Sequence, residues 1–101
     1  MASDKEVRER DVEARLRQGV HRLGGKAYKF TSPGNTGVPD REVILPGGRI
    51  FFVELKTERG RTSPVQQAQI RALRKLGCEV RVLYGMQDVE NFLQEIGGGE
   101  R

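Results

Sequence analysis

Tryptophan is absent from this chain of 101 residues, and cysteine and histidine occur once each. The single Cys78 excludes an internal disulfide and fits a reducing cytoplasm. With no second Cys or His at ligand spacing, His21 reads as a surface or edge residue rather than a zinc ligand, and Cys78 as a small apolar residue of a strand rather than a nucleophile. No stretch approaches the ~20 consecutive apolar residues of a membrane span. Met1-Ala2-Ser3-Asp4-Lys5-Glu6 lacks the apolar core of a signal peptide. No Gly-Lys-Ser or Gly-Lys-Thr follows the loop Gly34-Asn35-Thr36-Gly37, which excludes a phosphate-cradling P-loop there.

What remains is the composition of a soluble globular domain, 36% hydrophobic and 32% charged, long enough for one core but not for two. Lys and Arg number 18 against 14 Asp and Glu, giving a net charge of +4 and a pI near 9.6. Such a surface can bind nucleic acid by displacing condensed counterions. A well-solvated surface carrying both signs of charge fits the same numbers, so charge alone does not decide.

Apolar spacing predicts a helix from about Asp4 to Leu23. Ser3 and Glu6 form a capping-box pattern, Val12, Leu16, Val20 and Leu23 make one stripe, and Gly24-Gly25 end it. Lys26 to Thr31 alternates as a strand, Ser32 to Gly37 is a loop, and Arg41 to Leu45 is a second strand. Pro46-Gly47-Gly48 turns the chain into a third strand, Arg49 to Lys56, apolar on both faces until its last residues. A strand of that kind is expected to be central and covered on both sides. Ser63 as N-cap and Pro64 at the first position open a second helix, which runs to about Leu76 before Gly77. Cys78 to Tyr84 gives a fourth strand, with Cys78, Val80, Val82 and Tyr84 on one face. A short helix from Met86 to Ile96 follows, and a fraying tail from about residue 97. Without repeats or linkers, residues 1–101 read as one α/β domain, a mixed β-sheet flanked by helices in the order αβββαβ(α).

Two charges close the third strand. Ile50, Phe52, Glu54 and Lys56 share a face, and charging that face at a buried strand's end is costly unless a metal ion, a phosphate or another charge compensates. Asp40, in Gly37-Val38-Pro39-Asp40, starts the antiparallel partner strand, and the start of one such strand lies beside the end of the other. Asp40 and Glu54 are therefore expected to meet. Two carboxylates with few other ligands suit Mg²⁺ or Mn²⁺, with Lys56 free to hold a phosphate oxygen or a metal-bound water. An exposed hairpin end carrying a simple ion pair would have the same residues. Glu13 borders the buried stripe of the first helix, with Glu9 one turn earlier on the same face; each has arginines at helical spacing with which to pair instead. Gln66 faces the core beside Ile70 and Leu73, yet Ser63-x-x-Gln66 is also a capping box, so both a site role and a capping role stand.

With those residues in place, the chain resembles the VRR-NUC domain, a branch of the PD-(D/E)xK nuclease superfamily. The matching stretches are Gly37-Val38-Pro39-Asp40-Arg41, Pro46-Gly47-Gly48, Val53-Glu54-Leu55-Lys56 and Ser63-Pro64-Val65-Gln66, with Leu73 and Gly77 following, roughly from Glu9 to Phe92. Each is weak alone; their order and spacing together are specific. The resemblance implies a restriction-endonuclease-like core and a DNA phosphodiesterase using Mg²⁺ or Mn²⁺. It places metal-binding acids at Asp40 and Glu54, the catalytic lysine at Lys56, the helix acid at Glu13 and the helix glutamine at Gln66. It further implies a homodimer acting on branched DNA such as Holliday junctions, without membrane association. Lys29, Arg41, Arg59 and Arg61 are the candidate nucleic-acid contacts. Two other classes fit the same fold: a non-catalytic nucleic-acid-binding module, and a nuclease subunit that needs a larger partner.

Overall fold

A computed structural model describes residues 8–97 of the chain. Its elements are α1 (Glu9–Arg22), β1 (Lys26–Lys29), β2 (Arg41–Leu45), β3 (Arg49–Lys56), α2 (Pro64–Lys75), β4 (Glu79–Tyr84) and α3 (Gly85–Gly97), with a 3₁₀ turn at Pro46–Gly48. The order is the expected one. Helix α1 begins at Glu9, after Arg8 in extended conformation (φ −70°, ψ 150°), so within the described residues it is shorter at its start than its apolar stripe predicts. The Ser3–Glu6 capping box and the tail beyond residue 97 lie outside the described residues.

The four strands form one sheet in the order β1-β2-β3-β4. The pairs β1/β2 and β2/β3 are antiparallel, whereas β3/β4 is parallel. A parallel neighbour needs a crossover, and α2 supplies it. The turn between β2 and β3 matches its sequence: Gly47 (φ 84°) and Gly48 (φ 77°) take the positive φ that other residues avoid.

Helices α1 and α3 pack on one face of the sheet. Val12, Leu16 and Val20 of α1 meet Val43, Leu45, Phe51, Val53, Leu55 and Leu83 of the strands and Val89, Phe92 and Ile96 of α3 in a continuous buried core. Gly19 lets the two helices close, because a Cβ there would collide with the side chain of Leu93. Leu23, expected in the buried stripe, is only half-buried at the helix end.

Among the described residues the opposite face carries α2, which packs on β4, with Ile70 and Val80 buried. This corrects the expectation for β3. It is central, but α2 lies against β4, so the other face of β3 is uncovered at its start: Ile50 is 43% exposed and Phe52 half-buried. Phe52 stacks against Phe30 at 5.2 Å between ring centroids, beside Tyr28, itself 47% exposed. No helix among the described residues is long and apolar enough to cross a membrane.

Candidate active site

The partly open face becomes charged at one end of the sheet. The segment leading there is tightly held. Gly37 has φ +92° and lies so close to Val65 of α2 that a Cβ would approach it to 2.6 Å, and Thr36 O accepts from Gln69 Nε2 at 3.2 Å. Pro39 is fully buried. Asp40 then enters β2, its carbonyl accepting from Phe30 N–H at 2.8 Å. The register Arg41↔Val53 carries Asp40 opposite Glu54, as the hairpin argument required. The Leu55 N–H donates to Asp40 Oδ1 at 3.4 Å.

Glu54 is only 6% exposed. One of its oxygens, Oε2, accepts from Gln66 Nε2 at 3.1 Å and lies 3.5 Å from Lys56 Nζ. Gln66 is both a cap and a site residue. Its Oε1 accepts from Ser63 N–H at 2.9 Å, while its own N–H donates to Ser63 Oγ at 3.1 Å. A backbone N–H can only donate, so the amide oxygen faces Ser63 and the amide nitrogen is left for the carboxylate.

Electrostatically the pair is short of positive charge. Burial, and then the charge of Glu54, push Asp40 up to about 6; the Leu55 N–H offsets this in part. Burial also raises Glu54, against the opposing pull of Lys56. One lysine does not balance two carboxylates, Glu54 buried and Asp40 half-buried. Their hard oxygen donors and unmet negative charge fit a divalent cation of the Mg²⁺ or Mn²⁺ kind. Among the described residues no three His, Cys, Asp or Glu side chains gather as a ligand cluster, so the acidic centre is this pair.

The structure separates the remaining expected site residues. Glu13 is not at the pair: its carboxylate is engaged by the guanidinium of Arg41. Arg41 is not a surface contact either. It is 7% exposed, reaches Ala27 O at 3.5 Å, and burial lowers its pKa. Strand alternation carries the signal that would have revealed this, since Asp40 and Glu42 face one way and Arg41 the other, towards α1. Glu9, exposed one turn earlier on α1, adds only a minor charge effect that raises Asp40 and Glu54. Lys29, Arg59 and Arg61 are exposed, the last two lining a cleft next to Lys56. His21 is exposed and Cys78 half-buried with a free thiol.

The chain that carries Asp40, Glu54, Lys56 and Gln66 has counterparts among known proteins. The sequence profile of the VRR-NUC domain matches residues 6–87. The chain belongs to the VRR-NUC family. A relative named "Putative nuclease p44", from Acyrthosiphon pisum secondary endosymbiont phage 1, is 43% identical over 90 residues, which make up 89% of this chain and 96% of that protein. A solved VRR-NUC domain superposes with a TM-score of 0.80 at 33% identity, covering 85% of this chain and 94% of that one. Another, from a VRR-NUC domain protein, reaches a TM-score of 0.65 at 20% identity over 88% and 87% of the two chains, a likeness of fold alone. The family and the phage relative support nuclease function for this VRR-NUC domain.

Proposed function

We propose that this VRR-NUC domain is a DNA endonuclease that hydrolyses phosphodiester bonds with Mg²⁺ or Mn²⁺ held by Asp40 and Glu54. The observation that carries this reading is the carboxylate pair of buried Glu54 and half-buried Asp40 at one strand end, with Lys56 Nζ 3.5 Å from Glu54. Bound there, such a cation supplies Lewis acidity to a phosphate and its attacking water. The chain's own residues do the rest. Gln66 and Lys56 fix the rotamer of Glu54, and Leu55 N–H fixes that of Asp40. Lys56, 18% exposed at its side chain, presents a positive charge to the transferring phosphoryl group as its charge grows. Glu9 takes the role of helix acid in place of Glu13, because Glu13 is committed to Arg41. Lys29, Arg59 and Arg61 contact the DNA backbone, and Arg41 braces the interior.

Branched DNA such as Holliday junctions is the preferred substrate in this reading, cut by a symmetric homodimer. Among the described residues one chain has one such carboxylate pair, and paired nicks across a two-fold junction need two. The uncovered sheet face around Tyr28, Phe30, Ile50 and Phe52 is the apolar surface a second copy would cover.

The test is single-turnover cleavage of four-way, flap and linear duplex DNA in Mg²⁺, Mn²⁺ or EDTA, with light scattering on the free protein. Metal-dependent nicking that favours junctions, lost in Lys56→Ala without loss of metal binding, is expected. Cutting that survives EDTA refutes the metal assignment, junction binding without cleavage in any metal favours the non-catalytic module, and a monomer that cuts junctions refutes the dimer.

A further inference from the structure

We infer that the cleft beside Lys56 is a binding site for an unpaired nucleotide next to the scissile phosphate, with Tyr84 as its stacking face. The inference rests on the nuclease reading above and adds to it the substrate feature the site selects. Lys56 and Tyr84 are register partners in the parallel pair β3/β4, so both side chains leave the same face on strands about 4.8 Å apart. Tyr84 is 36% exposed, unlike the buried Val80 on the same face of β4. Its backbone is pinned where β4 runs into α3, by an N–H bond to Asp88 Oδ2 at 2.8 Å. An aromatic ring is thus held open beside the lysine.

The connector after β3 makes the opposite wall. Gly60 lies against the stem of Lys56, at a separation where a Cβ would sit 3.2 Å from Lys56 Cβ. Between connector and Tyr84 lies a cleft of about 690 Å³, lined also by Glu58, Arg59, Arg61, Thr62 and Gln67. That lies within the ~300–1,000 Å³ of small-ligand clefts. Among the described residues, Arg59 and Arg61 have no carboxylate partner, which leaves them for phosphates. Gln67 spends its Nε2 on Thr62 O and Oγ1, at 3.3 and 3.1 Å, which leaves its Oε1 to accept. Glu58 adds another acceptor. Acceptors beside an aromatic face suit the exocyclic amines of a nucleobase, whereas a cleft for phosphate alone would need neither.

In a continuous duplex both faces of each base are stacked and cannot reach Tyr84. At a flap, a gap or an opened branch point one can. The site therefore gives branched DNA its advantage through base stacking, a sequence-tolerant interaction.

The experiment measures binding in EDTA, where cleavage is not the readout. The probes are a short single-stranded DNA and a gapped duplex, each carrying 2-aminopurine at the unpaired position, beside a fully paired duplex of equal length. Because the chain has no Trp and two Tyr, Tyr28→Phe leaves Tyr84 as the sole intrinsic fluorophore. Quenching of Tyr84 emission and of 2-aminopurine is expected on binding. Tyr84→Leu, which keeps bulk, should weaken the unpaired probes roughly 10-fold, within the range of base–aromatic stacking, and leave the paired duplex unchanged. Tyr84→Phe should bind like wild type. Equal affinity in Tyr84→Leu, or saturation with no change in either emission, overturns the site. Intact stacking signals in a protein that cuts no DNA under any metal would remove the nuclease reading and leave the nucleotide site standing.

Discussion

On the α1/α3 side of the sheet, β2 and β3 present Val43, Leu45, Phe51, Val53 and Leu55, all buried, and two arginines: Arg41, buried and met by Glu13, and Arg49, exposed at the strand start, where it donates to Ile96 O. On the α2 side the alternate residues of the same strands are Glu42, Ile44, Phe52 and Lys56, half-buried, Ile50, exposed, and the carboxylates of Asp40 and Glu54. Adjacent residues Asp40 and Arg41 thus enter opposite environments: Arg41 finds its counter-charge within the fold, and Asp40 finds a second acid. The α1/α3 side is a closed, neutralised core. The other side keeps two neighbouring carboxylates whose pKa values burial raises, so charging both there costs stability. Stability and chemistry are divided between the two faces by strand alternation.

The sharpest break of that comparison is to neutralise the pair. Asp40→Asn and Glu54→Gln should each lower metal-dependent cleavage by at least about 10³-fold, since they remove the ligand charge the cation needs. Neither should unfold the protein, and Asp40→Asn should gain stability near neutral pH by relieving the repulsion. Leu16→Ala, from the fully buried core, should do the reverse, losing about 2–5 kcal/mol with unchanged rate per folded molecule. Single-turnover rates beside urea melts separate the two. A carboxamide variant that cuts normally would show that the pair is not the site.

Glu13→Gln tests whether the helix acid belongs to the core or to the chemistry. Glu13→Gln keeps an acceptor but removes the counter-charge of a buried guanidinium, so about 1–3 kcal/mol should be lost, moderated by the partial exposure of Glu13. Rate per folded molecule should hold, while Glu9→Gln should lower it at unchanged stability. The opposite pattern would return Glu13 to the metal.

The pH dependence follows from Asp40. Its value of about 6 lies above the ordinary 3.8, so the folded protein holds this proton more tightly than the unfolded chain does. The stability it contributes is present below about pH 4 and is lost as pH rises to about 6, an effect of about 1–2 kcal/mol after allowing for partial solvation. Metal must displace that proton, so apparent Mg²⁺ or Mn²⁺ affinity should climb through the same window and level off above it. Subtracting Asp40→Asn from wild-type melts between pH 4 and pH 8 isolates the contribution. A flat difference would mean that Asp40 is not perturbed.

Strands β2 and β3 were legible to the residue. A β-branched and aromatic run flanking Pro46-Gly47-Gly48 leaves one register, and that register brings Asp40 to Glu54. The choice between Glu9 and Glu13 was not legible. Both lie on one face of α1, four residues apart, and which meets the carboxylates depends on where the helix crosses the sheet. That is set by contacts such as Gly19 on Leu93, between segments far apart in sequence. The bare start of β3 escaped notice for a related reason: apolar residues on both faces announce a partner on each, but α2 packs on β4 and meets β3 near its end, through Gln66 on Glu54.

The smallest effect is the most discriminating, because Gln66 joins the cap of α2 to the open face. Its oxygen serves Ser63 and its nitrogen serves Glu54, so the two roles can be removed one at a time. Gln66→Glu keeps an acceptor for the Ser63 N–H but sets a third carboxylate against Glu54. The helix should stay capped and stability change little with metal present, while rate falls as Glu54 loses its donor. Ser63→Ala, a cap deletion that leaves the Gln66–Glu54 bond available, should cost about 0.5–2 kcal/mol with little change in rate per folded molecule. Gln66→Ala should show both deficits at once. If Gln66→Glu cleaves at the wild-type rate, the amide is a cap that merely touches Glu54, and the carboxylate's orientation must come from Lys56 alone.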